Sequence, residues 1–392
     1  MKESAYRINV VDALRGFAIL GILMMHSFEH FNYFEYPVVE NQFLRFTDTI
    51  LSKSIPFLFA GKAYAIFALL FGFSFFIQDN NQLKEGFDFR GRFIWRLVLL
   101  FIWGCINSIF YTGDVLVLFS LLGLILVATA RLSDKVVFGI AIFLFLMPLQ
   151  WIQIIYTIFN PDYSLGPRLF YRYYELCIPV MGEGSLLDMV KNAYNSQMYS
   201  LTWWIGEGRV FQASALFLFG MLMGRRKMFL DTEENISFWQ KVLIVAVICY
   251  FPLAGLLPIL RDFINNETII YYLNVILNCY ASFAFMCLLV SIFVLTYYKS
   301  NAGKYLSKLE PYGKMSLTMY LSQSVLGGFV FYYWGLGLSS YLSVTFSIVV
   351  GLLIFSIQYT FAVLWLKSHN HGPLEYIWKE LTWIGRKRKK DV

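Results

Sequence analysis

Long apolar runs alternate with short polar segments along most of the chain. Ten runs have about the 20 mostly apolar residues that a helix needs to cross a bilayer. They lie near residues 10–30, 55–77, 93–112, 114–131, 136–158, 210–228, 241–260, 268–298, 315–334 and 341–366. Each run is expected to be helical, because lipid offers no partner for backbone N–H and C=O groups. The pattern predicts an all-α, polytopic transmembrane helix bundle of about ten spans, forming a single domain over residues 1–392.

Two segments depart from this pattern. Residues 159–209 mix tyrosine and tryptophan with glycine and carboxylates, and segments this long between spans are often functional. Their rings and acids suit a sugar, although an aromatic belt at the headgroups explains them equally well. Within 371–392, apolar residues alternate with charged ones before a basic tail. This alternation predicts a C-terminal amphipathic helix on the inner interface.

The distribution of charge sets the orientation. Only 15% of the residues are charged, against roughly 25% in soluble domains. The net charge of +7 does not indicate nucleic acid, because Lys and Arg are spread among short loops near residues 84–92, 131–135, 225–227 and 299–308. The alternate loops are richer in acids. Since Lys and Arg favour cytoplasmic loops, both termini are predicted to be cytoplasmic, residues 159–209 external, and the chain to lie in the cell inner (plasma) membrane.

No metal is expected. The five cysteines and four histidines show neither zinc-ligand spacing nor a disulfide framework.

Ionisable side chains within predicted spans form two layers, and such side chains are costly in lipid, so they indicate functional sites. The layer at the cytoplasmic end contains Asp12, Arg15 and Arg96. The layer at the outer end contains His26, Glu29 and Lys62, joined by Asp114, Glu207 and Arg209.

The first span carries residues of both layers on one face. Arg15 and His26 are eleven residues apart, close to three helical turns, which corresponds to about 16 Å at ~1.5 Å per residue. The stripe consists of Asp12, Arg15, Ile19, Ile22, His26 and Glu29. We therefore expect a cytoplasmic cavity walled by spans one, two and three, with Arg15 and Arg96 facing it.

Each of these residues also has a structural interpretation. Arg15 and Arg96 could reach the inner lipid phosphates, Asp12 could simply pair with Arg15, and His26 could form a hydrogen bond at the outer interface. The neighbouring His30 is expected to lie beyond the hydrocarbon and to tolerate alanine.

Three further candidates lie toward the C-terminus. Tyr320 and Gln323 belong to the polar ninth span, whose side chains suit either a site or hydrogen bonds between helices. Glu375 suits the first turn of the amphipathic helix.

Five short motifs carry a family resemblance. They are Asp12-Ala-Leu-Arg15-Gly16, Phe67-Ala-Leu-Leu-Phe-Gly72, Gly113-Asp114, Gly313-Lys-Met-Ser-Leu-Thr318 and Gly372-Pro-Leu-Glu375. In this order, over nearly the whole chain, they resemble the YeiB-like family. That family is similar to the transmembrane acyltransferase superfamily, which includes heparan-α-glucosaminide N-acetyltransferase and bacterial envelope O-acyltransferases. The O-acyltransferases carry Arg, ten residues and then His on the first span, as Arg15 and His26 do here, whereas Asn107 stands where YeiB-like relatives lead us to expect His.

The resemblance implies transfer of an acyl group from cytosolic acyl-CoA to a hydroxyl or amine. The acceptor would be an envelope glycan or other extracytoplasmic small molecule, and acetyl-CoA is the expected donor. Asp12, Arg15 and Arg96 would bind the donor, and the pantetheine arm would pass Ile19 and Ile22. His26, oriented by Glu29, would be the general base, and Lys62 would stabilise the oxyanion. Asp114, Glu207 and Arg209 would position the acceptor.

Other functions remain open from the sequence. Two polar layers would also suit a transporter or exporter of a small polar or lipid-linked substrate. If the ionisable groups within the spans proved dispensable for function, a non-catalytic scaffold would be favoured. The expected partners are the lipid bilayer, acyl-CoA and the acceptor, without nucleic acid, and a homodimer is compatible with the pattern.

Overall fold

The computed structural model describes residues 8–385, and the regular elements in this range are all helical. The basic tail predicted at residues 386–390 lies outside the described residues. In the N-terminal half the helices are α1 (Asn9–Phe28), α2 (Gln42–Phe59), α3 (Ala63–Lys84), α4 (Arg90–Asn107), α5 (Leu116–Leu122), α6 (Leu124–Thr129), α7 (Asp134–Phe145), α8 (Pro148–Phe159) and α9 (Leu169–Glu183). In the C-terminal half they are α10 (Leu186–Gly206), α11 (Arg209–Arg225), α12 (Glu233–Arg261), α13 (Glu267–Lys299), α14 (Gly303–Leu306), α15 (Glu310–Lys314), α16 (Ser316–Phe331), α17 (Val344–Trp365) and α18 (Pro373–Thr382). The predicted all-α helix bundle is confirmed.

Several helices are long and apolar enough to cross a membrane. Within residues 8–385 they are Asn9–Phe28, the consecutive helices α2 and α3 taken together (Gln42–Lys84), Glu233–Arg261, Glu267–Lys299 and Val344–Trp365. The pair α7 and α8, bent by 42°, gives a sixth candidate. The chain is therefore a membrane protein. The helices α4, α11 and α16 also coincide with predicted spans but have only 18, 17 and 16 residues, so the number of ten spans and the orientation remain predictions.

Two regions differ from the sequence pattern. The run at 55–77 is divided between α2 and α3 by a break at residues 60–62, where Gly61 has a φ of +74°. Apolar residues lie on both sides of Gly61 and Lys62, so hydropathy averaged over the whole run does not reveal the break. Residues 159–209 are mainly helical, because α9 and α10 occupy most of the segment and pack against each other.

Helix α1 lies inside the bundle. Of the positions in its most apolar window, 78% are buried, against 6% for α12, whose side chains mostly face outward. Helix α1 packs against α2, α3, α15, α16 and α17. The backbones of α1 and α15 approach closely, because a β-carbon at Gly16 would collide with the Leu309 carbonyl and one at Gly313 with the Asp12 carbonyl. The polar residues of α1 therefore face protein and not lipid.

Candidate functional site

Two cavities lie near the opposite ends of α1. The inner cavity is at the end predicted to face the cytoplasm and has a volume of about 540 Å³. Its lining includes Arg15, Phe67, Phe71, Ser74, Phe75, Arg96, Leu116, Phe119, Tyr320, His371, Glu375, Trp378, Lys379 and Trp383. The outer cavity has a volume of about 430 Å³. Its lining includes Ile22, His26, Glu29, Asn32, Gly61, Lys62, Tyr64, Tyr111, Val115, Tyr199, Trp203, Trp204, Arg209, Asn278, Ser282 and Tyr320.

Cations dominate the inner cavity. Arg15 donates hydrogen bonds to Asp12 at 2.8 Å and to the Ser74 hydroxyl at 2.9 Å, so Asp12 supports Arg15 from outside the lining. The guanidinium of Arg96 lies over the Trp378 ring, 3.9 Å from its centroid, and forms no ion pair within residues 8–385. Lys379 lies 2.8 Å from a ring nitrogen of His371. This arrangement suits a ligand that carries several negative charges.

Helix α18 covers the inner cavity and is attached to α16. The carboxylate of Glu375 accepts hydrogen bonds from the backbone N–H groups of Leu317 at 2.6 Å and Thr318 at 3.0 Å, and from the Thr318 hydroxyl at 2.5 Å. Burial raises the pKa of Glu375, and these hydrogen bonds act in the opposite direction. Trp378 donates to the Arg96 carbonyl at 3.2 Å, which joins α18 to α4. Glu375 is thus occupied in holding α18 in place.

In the outer cavity, His26 is surrounded by aromatic rings. Its ring lies 4.3 Å from Tyr111 and 5.5 Å from Phe31, measured between centroids. Its Nδ1 atom is buried and has no hydrogen-bond partner in the described part of the chain. The expected hydrogen bond from His26 to Glu29 is not formed among residues 8–385, although both side chains line the cavity. The arrangement leaves the imidazole available to a ligand.

The chain after α1 makes an unusual turn beside this cavity. Three consecutive residues, His30, Phe31 and Asn32, have φ values of +49°, +55° and +73°, a conformation that is strained for residues other than glycine. Asn32 donates to the Thr112 hydroxyl at 2.8 Å, and Tyr332 donates to the Phe31 carbonyl. Tertiary contacts therefore hold the turn and place Asn32 in the wall of the outer cavity.

The placement of His30 corrects the sequence-based expectation. Its side chain is fully buried, one ring nitrogen lies 2.5 Å from the Ser347 hydroxyl, and its ring stacks on Phe331 at 4.7 Å. The turn folds His30 back against α17 and α16. His30 is therefore buried, although it follows the first apolar run in the sequence and was expected to tolerate alanine.

Two residues predicted to bind the acceptor lie behind the cavity wall. Asp114 accepts from the Asn107 amide at 2.8 Å and from the N–H groups of Leu116 and Val117 at 2.9 and 3.2 Å. It therefore caps α5, and Asn107 supports it. Glu207 pairs with Arg168 at 3.2 Å. Of the three predicted acceptor residues, Arg209 alone contributes to the lining.

The side chain of Tyr320 forms part of the wall of both cavities. Its hydroxyl accepts from the Val115 N–H at 3.4 Å. Val115 lines the outer cavity and Leu116 the inner one, so the start of α5 completes this wall. Gln323, one turn further along α16, is fully buried, and both polar atoms of its side chain lack partners among the described residues.

The expected route past Ile19 is wrong. Ile19 is fully buried against Tyr312, Met315 and Met319, because α15 and α16 cover that side of α1. The inner cavity instead extends toward Tyr320 between the phenylalanines of α3 and α4.

Comparison with known proteins agrees with the predicted resemblance. Residues 223–385 match the model of a family described as a protein of unknown function (DUF418). This segment is therefore similar to the YeiB-like family. The uncharacterized protein YxaH of Bacillus subtilis (strain 168) is 25% identical, over 96% of this chain and 94% of its own length. An uncharacterized 39.9 kDa protein in the amylase 3′ region of Bacillus acidopullulyticus is also 25% identical, with the same coverage. No solved structure matches.

The matched YeiB-like segment covers only part of the two cavities. It contains Tyr320, Gln323 and Glu375, whereas Arg15 and His26 precede it. The similarity to the Bacillus proteins covers 96% of this chain and so extends well beyond that segment.

Sequence reasoning missed several lining residues. Tyr111 and Tyr199 in the outer cavity, and Trp378 and Lys379 in the inner one, carry no signal that distinguishes them from interfacial aromatic or basic residues. The alternation in α18 indicated its amphipathic character, but not that its apolar face would cover a cavity.

Proposed function

We propose that the chain is a membrane-embedded acyltransferase that moves an acyl group from cytosolic acyl-CoA to a hydroxyl or amine on the other side of the membrane. The main support is that Tyr320 lines both cavities, with His26 beside it. A donor in the inner cavity and an acceptor in the outer cavity would meet at this shared wall. The donor expected from the family resemblance is acetyl-CoA.

The inner cavity suits a CoA thioester. Arg15, Arg96 and Lys379 supply positive charge for phosphates, and the Trp378 and Trp383 rings in the lining offer aromatic surface for adenine. Beyond them, apolar rings line the path toward Tyr320. These rings are Phe67, Phe71, Phe75 and Phe119. They provide an uncharged channel for the pantetheine arm and bring the thioester to the wall between the cavities.

In the proposed reaction, the His26 imidazole takes the proton of the acceptor hydroxyl or amine as the acceptor attacks the thioester carbonyl. The Tyr320 hydroxyl accepts a hydrogen bond from the Val115 N–H, and its own O–H donates a hydrogen bond to the developing oxyanion. Collapse of the tetrahedral intermediate breaks the C–S bond and forms the ester or amide. The His26 imidazolium returns this proton to the CoA thiolate at the wall between the cavities, and the CoA thiol leaves through the inner cavity. Asp114 positions the wall by capping α5.

Labelled acyl-CoA tests this proposal. Inside-out membrane vesicles that contain the protein would receive acetyl-CoA labelled in the acetyl group on their outer, cytoplasmic face. Label should accumulate in material inside the vesicles, with one CoA thiol released for each acetyl group transferred. Vesicles containing His26→Ala protein serve as the control. Absence of thiol release and of label transfer by the wild-type protein would contradict the acyltransferase proposal.

The same geometry gives one alternative. Two cavities that share a wall formed by Tyr320 and the start of α5 also suit a transporter in which Tyr320 moves to alternate access. In that case the cargo would cross unchanged and no thioester would be cleaved. Release of the CoA thiol in the vesicle experiment separates the two functions.

A further inference from the structure

We infer that the outer cavity binds an anionic polyol, whose phosphate or carboxylate group lies between Lys62 and Arg209. As a statement about the acceptor this inference rests on the proposed acyltransferase function. The binding site itself depends only on the charges and contacts around the cavity.

The two cations lie next to each other without a carboxylate partner. Arg209 donates to the Gln212 side chain at 2.8 Å and to the Tyr64 hydroxyl at 3.2 Å, and its buried Nε has no partner among residues 8–385. Lys62 donates to the Pro56 carbonyl at 3.4 Å, and its ammonium lies over the Phe285 ring, 5.4 Å from the centroid. Lys62 and Arg209 are close enough to repel each other. No ion pair involves either side chain in the described part of the chain.

The nearby acids compensate these charges only in part. Glu207 interacts electrostatically with Arg209 but forms no ion pair with it in the described part of the chain. Glu207 is paired with Arg168, and Asp114 is occupied in capping α5. Glu29 lines the same cavity, but its electrostatic neighbours are tyrosines, among them Tyr111 and Tyr199, on the side of the cavity near the end of α1. Two adjacent cations in a largely buried site are costly, and a bound anion would offset that cost.

The backbone at Gly61 shapes the site between the cations. A β-carbon there would lie 3.3 Å from both terminal nitrogens of Arg209 and 2.8 Å from the Ser282 hydroxyl oxygen. The Ser282 hydroxyl and the Asn278 side chain line the cavity beside these groups and can bind anion or polyol oxygens. The Arg209 guanidinium and the Ser282 hydroxyl thus meet at Gly61, in a cavity that Lys62 also lines, and such donors suit an anion.

The rest of the cavity indicates a polyol. Trp203 and Trp204 contribute aromatic faces to the wall, and flat rings of this kind pack against the C–H faces of sugars and related polyols. With its anionic end at Lys62 and Arg209, a polyol would extend along this wall toward His26. The geometry thus assigns Lys62 to holding the acceptor, in place of the oxyanion role that the family resemblance implied.

The test compares a phosphorylated polyol with its neutral counterpart. Purified protein in detergent would be titrated with glycerol phosphate or with glycerol by calorimetry. In a second arm, the unfolding midpoint would be compared between nanodiscs of phosphatidylglycerol and of phosphatidylcholine. Binding of glycerol phosphate identifies a soluble ligand, and stabilisation by phosphatidylglycerol alone identifies a lipid headgroup. Either result supports the inference, provided that Lys62→Gln and Arg209→Gln weaken the affinity for glycerol phosphate at least tenfold or abolish the stabilisation by phosphatidylglycerol.

Matched variants separate the site from general charge. Lys62→Arg keeps the positive charge and should retain binding, which also shows that losses in Lys62→Gln do not come from misfolding. Lys191→Gln removes an exposed external lysine and should bind like wild type. Absence of binding in both arms, or an equal loss in Lys191→Gln, would overturn the inference. Acyl-CoA binding by the same proteins reports on the inner cavity, so failure of the proposed function is recognised separately.

Discussion

The imidazole of His26 and the ring of Tyr320 lie edge to face, with their centroids 6.4 Å apart, at the wall between the two cavities. His26 comes from α1 and Tyr320 from α16, which pack against each other in the interior of the bundle. A group with acid–base capacity and a hydroxyl donor therefore face the point where the contents of the two cavities would meet.

Replacing His26 with alanine should abolish acyl transfer and leave acyl-CoA binding unchanged. A general base contributes about 10²–10⁴-fold in rate, and His26 does not line the inner cavity. The measurement is CoA thiol release in vesicles, with calorimetry for acyl-CoA. His369→Ala is the control, because His369 is exposed. Wild-type transfer by the His26 variant would exclude His26 as the base.

Replacing Tyr320 with phenylalanine should lower kcat about 10²–10³-fold, the usual effect of losing one oxyanion donor. The ring remains to separate the cavities, so affinity for acyl-CoA should change little. Steady-state kinetics would report kcat, and calorimetry the affinity. A variant with normal kcat would mean that the Tyr320 hydroxyl has no part in the reaction.

Replacing Arg96 with glutamine should weaken acyl-CoA binding by about 1.5–3 kcal/mol, the contribution of a hydrogen bond to a charged group. Arg96 is the cleaner test than Arg15, whose loss would also leave Asp12 without its arginine partner. Titration of purified protein with acetyl-CoA would measure the change. Arg226→Gln provides the control, because Arg226 is mostly exposed. Equal affinity in both variants and wild type would place the donor elsewhere.

Replacing His30 with alanine should destabilise the protein, because the variant loses a buried hydrogen bond to Ser347 and the stacking on Phe331. We expect a loss of about 1–3 kcal/mol in the free energy of unfolding, seen as a lower thermal midpoint in detergent. Ser347→Ala removes the same hydrogen bond. The double variant should therefore lose less free energy of unfolding than the two single variants lose together. Additive losses would show that the two side chains do not interact.

The predicted orientation can be tested by cysteine labelling in intact cells, in a background without native cysteines. A cysteine at Ser185, before α10, should react with an impermeant reagent from outside. A cysteine at Asn301, in the exposed turn after α13, should react only after the cells are opened. The reverse pattern would invert the membrane orientation and exchange the sides assigned to donor and acceptor.

The sequence by itself determined the helical class and the two polar ends of α1. Runs of apolar residues can be satisfied in lipid only as helices, and the three-turn spacing of Arg15 and His26 places them on one helical face whatever surrounds them. Both inferences depend on local periodicity, which the chain carries without reference to its folded form.

The tertiary structure decided which side chains form the cavities. The break between α2 and α3 brings Lys62 close to Arg209. The turn after α1 buries His30 and places Asn32 in the wall of the outer cavity. Asp114 and Glu207 adjoin residues that line the outer cavity, yet backbone N–H groups and Arg168 occupy their carboxylates. Such pairings depend on how helices distant in sequence pack against each other, and hydropathy contains no information about that packing.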